Sequence, residues 1–354
     1  MKNSNCNYTA AQWQSVPPSK VDINEETLLK LDPIIRSQYN NINGIIIVHK
    51  GNIVLERYYN GYRINDKFHV ASITKSILNA LIGIAIDKKY IKSIEERVLD
   101  FFPEYTFSSH DEQKNKVTLH NLLTMTTPYP FEDWKEPLDK LCTQADWVKY
   151  TLDSLGEDGE IGKFKYSTAG AHLISAIITR STGKCARDFA NEYLFKPIGI
   201  KPISDYKVDK FDYEYLFGKK LKGWPHDPNG NSTGGWGLNL TTRDMAKLGL
   251  LYLNNGIWND KQILSKNWIK ESTTMHEGEN DFMSYKYGYL WWLQKDDVFS
   301  YSAIGDGGNM ICCIPEKDLV VAISCEIIPQ TNDRWELIKK PYYSIYKKLR
   351  FILM

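Results

Sequence analysis

The chain has 354 residues, 42% of them hydrophobic and 25% charged, enough to bury a full core as one large domain or two medium ones. A formal net charge of +1 gives no long-range pull on nucleic acid or on an anionic membrane, and no apolar run approaches the length of a membrane span. Nucleic acid and a membrane span are therefore excluded as expectations, and a homodimer stays open because nothing in the sequence sets the oligomeric state.

Met1 to Cys6 leads into polar sequence with no apolar signal-peptide core, and residues up to about Glu25, with Pro17-Pro18, read as chain that wraps the surface. Six scattered cysteines lack C-x-x-C spacing, so reduced, mostly buried thiols and a cytoplasmic location are expected. Among them, adjacent Cys312 and Cys313 should face opposite sides of a strand. Glu25 to Tyr39 has a helical pattern. Gly44 to Val48 and Ile53 to Tyr59 then predict an antiparallel hairpin around Lys50-Gly51-Asn52.

Val70 to Ile86 is apolar on most sides and predicts a buried helix ending at Asp87-Lys88-Lys89, with cations where the dipole favours them. Its polar exceptions, Ser72, Lys75, Ser76 and Asn79, fall at i, i+3, i+4 and i+7 and share one face. Such a stripe either packs on other polar groups or lines a cleft. Ser72-Ile73-Thr74-Lys75 is an S-x-x-K arrangement, a hydroxyl nucleophile one turn from an amine that can take its proton. The competing reading is an ordinary helix N-cap serine.

From Ile91 to about Asn255 the pattern is helices and long loops. Thr118 caps a short helix, and Ser167 to Ser181 is an apolar-periodic helix stopped by Gly183. Thr241 to Asp244 has the spacing of a capping box and starts a helix that ends at Asn255-Gly256. After a helix near Ser265 to Thr274, strands are predicted over Tyr287 to Leu293, Val298 to Ala303, Asn309 to Ile314 and Leu319 to Cys325. Thr331 to Arg350 reads as helix, interrupted at Pro341. Strands at both ends with helices between them predict an α+β chain: an antiparallel sheet built from both termini and flanked by helices, plus a mostly helical inserted domain. The expected division is 1–67 with 256–354 for the sheet and 68–255 for the insert, with the active site at their junction.

Three further stretches join the serine. Phe164-Lys165-Tyr166-Ser167-Thr168 puts a tyrosine just before a helix. Gly234-Gly235-Trp236-Gly237-Leu238 precedes the capped helix, and Ala303-Ile304-Gly305-Asp306-Gly307-Gly308-Asn309 enters a strand with glycines that permit close approach of a substrate. In this order the motifs resemble the serine β-lactamase-like superfamily from about Ile42 to Ser324. The resemblance is to the type that includes class C β-lactamases, D,D-carboxypeptidases, family VIII carboxylesterases and 6-aminohexanoate-dimer hydrolase, and it implies the β-lactamase/transpeptidase-like fold.

The resemblance makes Ser72 the acylating nucleophile, Lys75 its activator and Tyr166 the residue that passes protons toward the leaving group. It makes the backbone N–H groups of Ser72 and Asn309 the oxyanion hole, with Gly308, Asp306, Thr168 and Trp236 around the substrate. It implies two-step acyl transfer from a small ester or amide to Ser72 and then to water, with no cofactor.

Two departures stand out. Thr168 occupies the Asn position of the usual Tyr-x-Asn motif, and Asp306-Gly307-Gly308 replaces the usual cationic Lys/His-Thr/x-Gly. An acidic residue where a substrate carboxylate normally meets a cation disfavours β-lactam and cell-wall peptide substrates. Alternatives stay open: a cell-wall or β-lactam enzyme, or a binding protein that kept the fold. Residue by residue, Tyr166 has a buried-tyrosine reading, Asp306 a turn reading and Trp236 a core reading. His172 and His226 read as structural, and the histidines show no metal-type pairing.

Overall fold

The computed structural model describes residues 31–107, 112–131, 136–208, 221–276, 285–295 and 298–327, with a few positions ahead of residue 31. Its centre is a seven-stranded antiparallel sheet: β1 Ile42–His49, β2 Asn52–Tyr58, β3 Lys286–Tyr287, β4 Trp292–Lys295, β5 Phe299–Gly305, β6 Asn309–Ile314 and β7 Leu319–Cys325. The spatial order is β2-β1-β7-β6-β5-β4-β3, so the sheet's two chain-distant parts meet where β1 pairs with β7, Ile46 opposite Ala322. Ile45 to Val48 are fully buried, as expected for a continuous apolar run in a strand covered on both faces.

The β1–β2 hairpin turns through Lys50 and Gly51, both at positive φ (48° and 76°), the conformation two-residue hairpin loops require. The single strand expected over Tyr287 to Leu293 is instead two strands joined by a turn. Gly288 N–H donates to Trp291 O at 2.9 Å, Leu290 has φ 57°, and β3 and β4 pair with each other, Tyr287 opposite Trp292. The turn is held from outside by Tyr289 N–H to Ser272 O and Leu290 N–H to Leu123 O, contacts that no local pattern carries.

The helices used below are α1 Leu31–Gln38, α2 Ile73–Asp87, α3 Trp147–Ser154, α4 Thr168–Thr182 and α5 Thr242–Leu253. Their ends follow local chemistry. The Ser167 hydroxyl accepts the Gly170 N–H at the start of α4, and Gly183 ends it at φ 71°. Thr241 and Asp244 form the expected capping box at α5. That helix lies on β1, β6 and β7, where Gly249 allows close approach: a Cβ there would meet Val320 Cγ1 at 2.5 Å. α2 packs between α4 and the β5–β6 part of the sheet.

Cys142, Cys185, Cys312, Cys313 and Cys325 are free thiols, and Cys313, in β6, turns its sulfur toward Gly249 O in α5. Among the described residues no helix is long and apolar enough to cross a membrane. The helix expected over Thr331 to Arg350, and most of residues 1 to 25, lie outside the described residues.

Candidate active site

Ser72 stands at the N-cap position of α2 with helical φ/ψ (−68°, −5°), and its side chain makes no capping hydrogen bond. The cap explanation for this serine therefore fails, and the hydroxyl serves Lys75 instead. Ala71, just before it, has φ 49°, a left-handed conformation rare for a residue with a Cβ and one that stores strain at the turn into the helix. The polar stripe divides: Ser76 Oγ donates to Leu290 O at 2.6 Å, and Asn79 bonds Ser272 and Tyr252, so that half packs internally.

Lys75 is only 1% exposed. Its Nζ donates to Gly235 O at 2.9 Å, Ser72 Oγ at 3.0 Å and Thr168 Oγ1 at 3.2 Å, which uses all three ammonium donors. The Thr168 departure from the usual motif thus keeps a hydrogen bond to the lysine. The amine also lies 4.7 Å from the centre of the Tyr166 ring. That ring is half-buried, stacks on Trp292 at 5.7 Å and meets the edge of Tyr287. None of the three hydrogen-bonding partners is charged. Burial lowers the Lys75 pKa to about 8, against the opposing pull of Glu136 and Asp306.

The turn between β5 and β6 closes the site from the sheet side. A Cβ on Gly305 would meet Val70 O at 2.3 Å and Ser72 N at 3.2 Å, so only glycine lets this strand end lie against the start of α2. Gly307 and Gly308 have φ 80° and 94°. The buried Asn309 side chain donates to Asp306 O at 2.8 Å and accepts the Cys325 N–H at 2.9 Å, which pins the turn to β7. Asp306 is half-buried, and its negative charge pulls on the Lys75 amine. Trp236, expected around the substrate, is instead 2% exposed in a small apolar cluster, stacked on Trp147 at 5.7 Å. A large apolar ring finds more contact there than at a wet cleft wall.

His172 and Asp227 are fully buried and bonded, Nε2 to Oδ2 at 2.9 Å. Gly234 N–H donates to His172 Nδ1 at 3.3 Å, so both ring nitrogens are engaged. This pair braces the bend at Gly234, whose next carbonyl, that of Gly235, holds Lys75. His69 accepts the Gly237 N–H at 2.8 Å, and burial lowers its pKa to about 3.

One site residue escapes the sequence reading. Glu136 accepts hydrogen bonds from Thr168 N–H (2.6 Å), Ala169 N–H (2.7 Å) and Ser167 Oγ (3.1 Å). Burial raises its pKa, opposed by those amides and by Lys75. The only available signal was that the first turn of α4 carries no acid, which left its N-terminal donors waiting for one from elsewhere. Among the described residues, no group of three or more His, Cys, Asp or Glu side chains is arranged to hold a metal ion.

A half-buried serine bonded to a buried lysine at a helix start stands beside a tyrosine and a glycine-rich strand turn, on a fold of the β-lactamase/transpeptidase type. The Beta-lactamase family model matches residues 38–333, and the chain belongs to that family. Over 299 residues it is 23% identical to the 6-aminohexanoate-dimer hydrolase of Paenarthrobacter ureafaciens, covering 78% of this chain and 70% of that one. Among solved structures it is similar to a Bacillus anthracis protein provisionally assigned as a 6-aminohexanoate-dimer hydrolase. The TM-score is 0.69 at 22% identity, over 91% of this chain and 82% of that one. A family VIII carboxylesterase superposes with TM-score 0.64 at 16% identity, over 95% and 99% of the two chains.

Proposed function

We propose that the chain is a serine hydrolase that transfers the acyl group of a small neutral or cationic ester or amide to Ser72 and then to water. The observation that carries this reading is the Lys75 amine, 3.0 Å from Ser72 Oγ and held from behind by Gly235 O and Thr168 Oγ1. When Lys75 is neutral, those two acceptors take its two N–H groups, and the remaining lone pair faces the serine hydroxyl. A pKa near 8 supports this role, because a useful fraction of the amine is then neutral close to pH 7.

In the proposed first step, Ser72 Oγ attacks the carbonyl carbon while its proton passes to Lys75. The oxyanion is received by the N–H groups of Ser72 and Asn309, and the seat of the Gly305 strand end against the start of α2 supports this by bringing the two residues' elements together. Collapse breaks the bond to the leaving group, which takes a proton from Lys75, with Tyr166 as the relay. Water then attacks acyl-Ser72 by the reverse route and releases the acid. The half-buried Asp306 carboxylate disfavours substrates that bring a carboxylate to this turn, hence the neutral or cationic class.

Incubation with a fluorophosphonate probe, followed by mass analysis of the peptide containing Ser72, tests the reading. Wild type should be labelled and Ser72→Ala should not. Equal labelling of the two, or none of wild type, rejects it. A panel of p-nitrophenyl esters and short amides then defines the acyl and leaving groups, and a chromogenic cephalosporin turned over as fast as simple esters would reassign the substrate class.

A further inference from the structure

The first turn of α4 has four orphan N–H groups to satisfy. Gly170 N–H reaches Ser167 Oγ at 2.8 Å and Ser167 N–H reaches Met125 Sδ at 3.3 Å, so two of them are served close at hand. Thr168 and Ala169 donate to the two carboxylate oxygens of Glu136, and the serine hydroxyl gives its own hydrogen to the same carboxylate. A residue 32 positions upstream in sequence thus completes the cap. Thr168 is gripped from both sides, its N–H by Glu136 and its Oγ1 by the Lys75 amine.

Capping alone does not explain a carboxylate here. A neutral side chain serves most helix starts, and a partly buried anion is costly to desolvate unless a cation faces it. The cation is Lys75, whose direct partners are all uncharged. We propose that Glu136 is a positioning residue for Lys75: it fixes the Thr168 hydroxyl that holds the amine and supplies the counter-charge facing that amine across the α4 N-terminus.

This rests on Lys75 being the base proposed above, and the experiment separates the two ideas. The groups that face Lys75 are the charged Glu136 and Asp306 and the titratable Tyr166, whose ring centre lies 4.7 Å from the amine. Those that feel Glu136 are Lys75, Tyr129, Cys142 and Tyr150, and burial holds Tyr129 well above its ordinary value and Cys142 up to about 12. Neither of these two titrates between pH 6 and 9, so a change in that window reports on Lys75. Removing the negative charge destabilises the ammonium form, so the Lys75 midpoint moves down.

The test uses the full chain with 13Cε-labelled lysine, titrated by NMR in wild type, Glu136→Gln and Glu136→Asp, with Lys75→Arg to assign the resonance. In parallel, the acylation rate of a p-nitrophenyl ester is measured against pH. The Lys75 midpoint should fall by about half to one pH unit in Glu136→Gln. The high-pH plateau of acylation should fall about tenfold, and Glu136→Asp should restore much of both. A lower melting temperature with midpoint and plateau unmoved would reduce Glu136 to a simple cap and overturn the proposal. The NMR midpoint decides this even if wild type proves inert to the fluorophosphonate probe, in which case the hydrolase reading fails alone.

Discussion

Replacing Lys75 by Met should make the protein more stable and inactive, and the stability gain should depend on pH in one direction. The folded pKa of Lys75 is about 8, below the ordinary 10.5, because the ammonium is buried. The unfolded chain therefore binds more protons than the folded one between these values, and stability rises with pH across that window. The penalty is complete below the folded pKa and is relieved as pH passes 10.5. It amounts to about 3 kcal/mol at 1.36 kcal/mol per pH unit.

Methionine fills a similar volume without the charge but strands the acceptors at Gly235 and Thr168, a loss of about 1–2 kcal/mol. The net expectation at pH 7 is a gain of about 1–2 kcal/mol, or roughly 1–3 °C in melting temperature. Urea unfolding of both proteins at half-unit steps from pH 6 to 10.5 measures the difference directly. It should shrink steadily above pH 8 and vanish or change sign by the upper limit. A difference that stays flat with pH, or a variant less stable at pH 6, would refute the burial argument.

Three further outcomes follow from the same geometry. The acylation rate of wild type should climb about tenfold per pH unit below pH 7 and level off above an apparent pKa near 8, read from single-turnover bursts. Asp306→Asn should lower kcat/KM for a cationic ester about tenfold relative to its neutral isostere and move the acylation midpoint down; equal effects on both esters would remove Asp306 from substrate selection. Gly305→Ala places a methyl 2.3 Å from Val70 O, so fluorophosphonate labelling of Ser72 should drop by at least a hundredfold and melting should occur several degrees lower. Wild-type labelling in this variant would show that the strand end does not need its present seat.

What the sequence makes legible here is what neighbours decide. Ser167, Gly183 and the Thr241–Asp244 box act within one helical turn, and each lies where its local chemistry puts it. The hairpin at Lys50-Gly51 and the last two strands are equally local. The Ser72–Lys75 pair is readable for the same reason, since three residues on a helix bring the side chains to one face.

Features set by distant partners were not readable. Trp236 stacks on Trp147, the turn at Tyr289 and Leu290 is held by contacts to Ser272 and Leu123, and Glu136 reaches α4 from 32 residues upstream. The stripe on α2 shows both regimes at once: its periodicity was visible, but its division into a cleft half and an internal half was decided by Leu290 O and Ser272.

The pairing of β1 with β7 has a consequence for how the protein is made. The glycine turn beside Ser72, and the strand that completes the middle of the sheet, emerge from the ribosome some 230 to 250 residues after the serine itself. Contacts of such long sequence separation form slowly, because a large loop must close first. A nascent chain therefore carries Ser72, the proposed nucleophile, without its completed surroundings while those residues are added, and reactivity should switch on only after the β7 segment has cleared the exit tunnel.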